Sequence, residues 1–409
     1  MSTSFYKTLQ LFLIFTHGFL ISRLFIKHKI AEKLVIFIVK KAKSKFYLIC
    51  AYILLTAAVL SMFIPNVITV LSILPVINIL KKESQGFEDK KGSLTTSLAL
   101  SNMYGANIGG TGSLSGSLSN AVLLGFLILN APESAKKVDF LNWLGWGLPF
   151  AIIMSLSAIV MLLIFLPKSK RHLKIYLSEN VSSFAGFKKA DAISLVTLVF
   201  WIGVSLVNNI FPLKSYSYTT LLCLIFSIAL MFMIFIQKGK KIKKALLSFK
   251  DIFINLPWKG FAIAFITVIL SGLLLYFKAD RYLSGTLKSL INFKPKPLLL
   301  MFIFSLMAIY ISEFISNTAT AVTLFVFAFS LCRVFNYPPL PFLICISVSS
   351  TLVFASPLAS PVNALSYGGV KGINLKKMII TGLFIDLGAA VVISFYSTYF
   401  ISRYYKLFF

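Results

Sequence analysis

The chain has 409 residues, 58% of them hydrophobic and only 13% charged, and carries 40 Lys and Arg against 12 Asp and Glu for a net charge of +28. A mean hydropathy of +0.89 excludes a soluble globular protein. The basic residues lie between apolar runs, not in a separable basic domain with interleaved aromatics, so the charge sets membrane topology and no nucleic-acid partner is expected.

Runs of about 20 apolar residues, enough for a ~30 Å hydrocarbon core, recur at Thr8–Ile26, Leu141–Leu166, Ala192–Ile210, Thr219–Ile236, Gly260–Phe277 and Met378–Phe400. The first leads straight into a basic helix without a small-residue cleavage site, so no cleavable signal peptide is expected. His17 in this run reads as a satisfied helix-facing histidine. Lys27–Lys45 reads as an amphipathic interfacial helix on the cytoplasmic surface. With the first span ending in the cytoplasm at Lys27, the cytoplasmic loops are 27–45, 81–91, 167–190, 237–259 and 371–377. They hold 27 of the 40 Lys and Arg, which supports this orientation and puts both termini outside.

Four segments have the wrong length for a simple span. Phe46–Leu80 has lysines at both ends and is too short to cross twice, which predicts a re-entrant helical hairpin (46–80) with its tip at "FIPNVIT". Residues 93–130 would reach about 57 Å as one helix. Their centre, "GANIGGTGSLSGSLSN", is rich in helix-breaking glycine and predicts a broken helix. The span 141–166 follows. In the second half, 297–332 reads as another hairpin with its tip at "FISNTAT", and 338–370 as another broken helix centred on "FASPLASPVN". The pairs are related: "SMFIPNVITV" and "SEFISNTATA" match at five of ten positions. Ser113–Ala121 and Ser356–Ala364 match at four of nine, ending in Asn-Ala both times.

The expected fold is therefore an all-α polytopic membrane protein with about eight full spans and inverted repeats. Residues 1–166 form the first repeat, 167–250 two scaffold spans with basic cytoplasmic loops, and 251–409 the second repeat, ending in the final span. Such repeats place a transport site between them at the membrane midplane. Each break aims a half-helix N-terminus inward, which favours an anion. The opposing carbonyls favour a small cation such as sodium. Asn66, Asn317, Thr318, Ser117 and Ser360 add neutral donors and acceptors. Glu313 and Asp386 are the deepest acids: Glu313 could tune the cation site or couple protons, and Asp386 could equally be a helix–helix hydrogen bonder. Cys50, Cys223, Cys332 and Cys345 have no metal-ligand spacing and read as small buried hydrophobes.

The stretches "SEFISNTATA", "YGANIGGTGSLSGSLSN" and "ASPVNALSYGG" resemble the divalent anion:sodium symporter (DASS) family of the ion transporter superfamily. The resemblance covers nearly the whole chain. It implies a homodimer in which hairpins and broken helices move as an elevator against a scaffold, in the plasma membrane, the inner membrane for a bacterial cell. It implies sodium symport with a dicarboxylate, tricarboxylate or sulfate, with sodium as the coupling ion and no cofactor. Carried over by position, the first sodium site is Ser61, Asn66, Ser115 and Gly116, and the second Ser312, Ser316, Asn317 and Ala359. The solute meets Asn66, Ser117, Asn317, Thr318, Ser360 and Pro361. The chain departs from the family where Pro65-Asn66-Val67 replaces Ser-Asn-Thr, where "GSLSN" lacks both prolines of the motif and "SPVN" keeps one, and in beginning where the family's fourth helix would be.

Three other readings stay open. The fold could use protons, with Glu313 as coupling group, or another solute; it could be a degenerate non-transporting relative; or the chain could be a membrane-embedded glycosyltransferase or polymerase. The last needs clustered ionisable catalysts at a membrane surface, and the outside loops offer only Glu133, Asp139 and Asp280. The chain is therefore not read as an enzyme.

Overall fold

The computed structural model describes residues 23–41, 45–87, 92–166, 191–200 and 294–407, with scattered positions between 9 and 21 and between 224 and 251. The runs expected at Thr8–Ile26, Ala192–Ile210, Thr219–Ile236 and Gly260–Phe277, and Cys223, lie wholly or partly outside these residues. Every element described is helical, with no strand among the described residues. In order they are α1 (Ile30–Lys41), α2 (Phe46–Phe63), α3 (Asn66–Ser84), α4 (Ser93–Gly112), α5 (Leu118–Asn130), α6 (Pro132–Lys137), α7 (Phe140–Phe165), α8 (Pro297–Ser312), α9 (Asn317–Phe335), α10 (Pro339–Thr351), α11 (Pro361–Gly369) and α12 (Leu375–Phe395). The last continues through a wide turn, Tyr396–Ile401, into Ser402–Tyr404.

The boundaries follow local chemistry. Pro65 disfavours helical backbone at Ile64, which is extended, so α2 stops there. Pro297, Pro339 and Pro361 occupy the first helical turns of α8, α10 and α11, where a missing N–H does no harm. Asp139 and Asn374 cap α7 and α12 by accepting from Asn142 N and Lys377 N. The basic helix expected over Lys27–Lys45 starts at Ile30, because Lys29 takes a left-handed conformation (φ 53°) before α1.

Among the described residues, four helices are long and apolar enough to cross a membrane: Phe46–Phe63, Phe140–Phe165, Asn317–Phe335 and Leu375–Tyr404. The first and third, α2 and α9, are arms of the two segments read as hairpins. Polarity is arranged inside out. Leu148, Ile152, Leu156, Val160 and Ile164 of α7 are exposed, as are Leu383, Phe384, Leu387 and Val391 of α12. Ser101, Asn102, Asn107, Thr111, Ser347, Ser349, Ser350 and Thr351 are fully buried.

At the centre is α4, buried at every one of its 20 positions. The break expected within 105–120 comes at Ser113–Ser117, and Gly105, Gly109, Gly110 and Gly112 lie within the helix before it. Their role is close approach. A Cβ on Gly105 would stand 2.2 Å from Leu54 O, and one on Gly109 2.1 Å from Ala58 O, so α2 lies against α4 with no room for a side chain. Gly109→Ala is therefore expected to cost about 1–3 kcal/mol of stability by overpacking, read from thermal unfolding in detergent. Gly125→Ala, where a Cβ would meet nothing within 4 Å, is the neutral control.

The two halves interlock. α3 packs against α4 of its own half and α11 of the other, and α9 packs against α10 of its own half and α5 of the other. Asn78 Nδ2 donates to Gly369 O (3.2 Å), and Asn374 N donates to Thr96 Oγ1 (2.9 Å). Of the remaining sequence readings, His17 is satisfied by Ser227 Oγ at 2.6 Å, and Cys50, Cys332 and Cys345 are buried free thiols.

Candidate functional site

The two helix breaks, Ser113–Ser117 and Leu352–Ser360, are built alike. Ser117 caps α5 by accepting from Ser119 N (3.3 Å), and Ser360 caps α11 by accepting from Asn363 N (3.2 Å). An asparagine staples each break. Asn120 Nδ2 donates to Gly110 O (3.0 Å) and Ser113 O (2.9 Å), ten and seven residues upstream. Asn363 Nδ2 donates to Val353 O (3.2 Å) and Ser356 O (2.9 Å), again ten and seven residues upstream. The oxygen of each staple faces the other half: Asn120 Oδ1 accepts from Ser347 Oγ (3.0 Å), and Asn363 Oδ1 from Asn107 Nδ2 (2.9 Å). Ser117 Oγ and Thr351 Oγ1 pair at 3.0 Å, and Ser350 Oγ donates to Ser119 Oγ at 3.3 Å. The breaks thus share one buried, neutral network of amides and hydroxyls, where low dielectric strengthens each bond and penalises each loss.

A later helix of each half, α7 or α12, holds the backbone at or just before its break. Trp143 Nε1 donates to Thr111 O (3.0 Å), and Phe354 N donates to Asp386 Oδ1 (3.1 Å), each across 32 residues. This fixes Asp386 as a helix-to-break hydrogen-bond acceptor. Glycines make room for the approach: a Cβ on Gly147 would stand 2.6 Å from Gly112 O, and one on Gly382 2.3 Å from Phe354 O.

At the first tip, Ser61 Oγ donates to Ala106 O (2.7 Å), and Asn66 Oδ1 accepts from Val67 N (3.0 Å). A Cβ on Gly116 would lie 2.8 Å from Gly110 O and 2.9 Å from Ser61 O; one on Gly110 would meet Asn66 Nδ2 and Gly116 O at 3.5 Å. Ser61, Asn66, Gly110 and Gly116 are therefore gathered at one point. Ser115 sits in the adjoining turn, its hydroxyl 3.3 Å from Ser113 Oγ, and Ser113 Oγ donates to Met62 O.

The second tip is tied to its break by Glu313. Glu313 Oε1 accepts from Phe354 N (2.9 Å) and Ala355 N (3.0 Å), and Oε2 accepts from Ser356 N (2.5 Å). Glu313 is 3% exposed, and neither it nor Asp386 joins an ion pair among the described residues. Ser312 and Thr318 are buried, and Ser316 and Asn317 half-buried. Ser312 Oγ and Asn317 Oδ1 are buried without a hydrogen-bond partner. Ala359 N donates to Ser356 O (3.3 Å), and Ser360 Oγ to Asn363 Oδ1 (3.1 Å), while Pro361 is exposed.

The site residues read from the sequence thus fall on the two tips and two breaks, and Glu313 joins the second tip to the second break. Asn107, Asn120, Asn363, Ser347, Ser350 and Thr351 were not singled out as site residues. For Asn120 and Asn363 the signal was present, since both stand in the Asn-Ala that closes the matched stretches. The oxygens at both tips are the neutral donors a hard cation takes. The N-termini of α5 and α11 are dipole ends suited to an anion.

Residues 1–403 match the family model described as "Sodium:sulfate symporter transmembrane region". An uncharacterized transporter of Methanocaldococcus jannaschii is 24% identical over 349 residues, covering 85% of this chain and 73% of the relative. The sodium-dependent dicarboxylate transporter SdcS of Staphylococcus saprophyticus is 24% identical over 82% of this chain and 65% of its own length. The sodium-dependent low-affinity dicarboxylate transporter 1 of Caenorhabditis elegans is 24% identical over 77% of this chain and 57% of its own.

Proposed function

The chain belongs to the sodium:sulfate symporter family, and from that premise we propose that it carries a divalent anion, a di- or tricarboxylate or sulfate, coupled to sodium by elevator-type alternating access. It is a multi-pass membrane protein of a transporter family and not an enzyme. The observation that carries the reading is the pair of breaks stapled alike by Asn120 and Asn363, each staple also hydrogen-bonded to the helix that precedes the other break, through Ser347 and Asn107. Repeated, interlocked breaks are how carriers expose irregular backbone to a solute without exposing it to lipid. The matched 32-residue contacts and the crossed packing of α3 with α11 and α9 with α5 support a relation between the two halves, which we read as inverted repeats over 1–166 and 251–409 joined by 167–250.

The solute sits between the tips, meeting Asn66, Ser117, Asn317, Thr318, Ser360 and Pro361. It is held by neutral donors and the N-termini of α5 and α11. Neutral donors suit a carrier, which must release what it binds. Sodium offsets the anion's charge from the tips, through Ser61, Asn66, Ser115 and Gly116 and through Ser312, Ser316, Asn317 and Ala359. Both Glu313 oxygens accept backbone N–H groups of the second break, and Asp386 accepts from the same Phe354 N, which suits Glu313 to anchoring that break. The working unit is a homodimer in the plasma membrane with both termini outside.

A ligand that binds only the folded state stabilises it by about 2.7 kcal/mol at 100 times Kd. The purified protein should melt higher in sodium than in potassium or choline chloride at equal ionic strength. Asn317→Ala should lose that difference, and a panel of dianions should raise the melting temperature further only in sodium. A wild-type protein indifferent to sodium at every concentration would overturn this reading.

A further inference from the structure

The two tips differ in ways that bear on cation binding. At the second tip, Ser312 Oγ and Asn317 Oδ1 are buried without a hydrogen-bond partner. A small hard cation takes oxygen ligands of this kind. At the first tip Asn66 Oδ1 already accepts from Val67 N, while Ser61 Oγ gives its proton to Ala106 O and keeps its lone pairs.

Charge differs in the same direction. The residue after Ser312 is Glu313, buried, with both oxygens accepting from backbone N–H groups of the second break, the behaviour of a carboxylate. The residue after Ser61 is Met62, equally buried. It sets a neutral thioether against the first break, where a Cβ on Gly112 would meet Met62 Cε at 2.8 Å. A charge in a low-dielectric interior acts over several ångströms, whereas the thioether supplies none. The hydroxyl of Thr318 in the second tip is replaced by the methyl groups of Val67 in the first.

We propose that the second tip is the tight sodium site of this chain and the first tip a weak one, with Glu313 supplying the charge and fixing the break beside it. This rests on the sodium-coupled reading above. Glu313 acts as a positioning residue: it does not ligate the ion, because its oxygens are committed to Phe354, Ala355 and Ser356.

The test is the sodium concentration giving half-maximal thermal stabilisation of the full chain in detergent, for the wild type, Ser312→Ala, Ser61→Ala and Glu313→Gln. Ser312→Ala and Glu313→Gln should each raise that midpoint at least tenfold, and Ser61→Ala threefold at most. Equal shifts for Ser61→Ala and Ser312→Ala, or a larger one for Ser61→Ala, overturn the inference while leaving sodium coupling intact. A wild-type protein without sodium response overturns both. Should Glu313→Gln fail to fold, the two serine variants, which keep the clamp, still decide between the tips.

Discussion

Glu313→Ala is expected to lower the stability of the protein by about 3–5 kcal/mol and to abolish sodium-driven uptake. Three backbone N–H groups of the second break end on this carboxylate, and a buried donor left without a partner costs about 1–3 kcal/mol. Phe354 N keeps Asp386 Oδ1 in the variant, so the loss concentrates on Ala355 N and Ser356 N. Gln should recover part of it, because its carbonyl can accept the two bonds now made to Oε1. Its amide nitrogen would confront Ser356 N, donor against donor. Asp should recover less, being one methylene too short to reach three groups. The measurements are chemical unfolding in detergent and uptake in proteoliposomes driven by a sodium gradient. If Glu313→Ala unfolded within about 1 kcal/mol of the wild type, the clamp would not be what holds tip and break together.

That clamp marks where the sequence stops being legible. The segment lengths forbid plain spans, and Pro65 at the first tip and Pro361 at the second break are local signals. The tips fall where expected, between α2 and α3 and between α8 and α9. What local chemistry leaves open is where α4 ends. Glycine carries a helix penalty of about 1 kcal/mol, and that argues for a break at Gly105–Gly112 unless a neighbour presses on the helix. The neighbour is α2, whose carbonyls at Leu54 and Ala58 leave no space for a Cβ; nothing near Gly105 in the sequence announces it.

The site shows the same division. The hydroxyl and amide residues of the tips stand out in an apolar chain. The bonds that organise them do not, because they join Asn107 to Asn363 across 256 residues and Ser347 to Asn120 across 227. Glu313 was visible as a deep acid, but its partners are main-chain N–H groups, which carry no side-chain signature. Its depth suggests proton coupling as readily as anchoring. The geometry of the break, with three successive donors turned towards one carboxylate, supplies the anchoring role that the sequence could not show.

Asn363→Ala is expected to cost about 3 kcal/mol or more and to reduce transport at least tenfold. The side chain donates to Val353 O and Ser356 O and accepts from Asn107 Nδ2 and Ser360 Oγ, so its removal strands several buried polar atoms together. Asn363→Asp is no rescue, since it would turn an oxygen towards the two carbonyls that the amide nitrogen now serves. Asn120→Ala should behave in parallel, because it frees Gly110 O, Ser113 O and Ser347 Oγ in the first break. The informative variant is the double one. If the breaks form one network, the double substitution should depart from additivity by about 0.5–3 kcal/mol, whereas independent sites add within about 0.3–0.5 kcal/mol. Additive losses would mean two separate half-sites that happen to be neighbours. Coupling would mean that a solute gripping one break reports to the other, the minimum a carrier needs if both halves are to release one solute together.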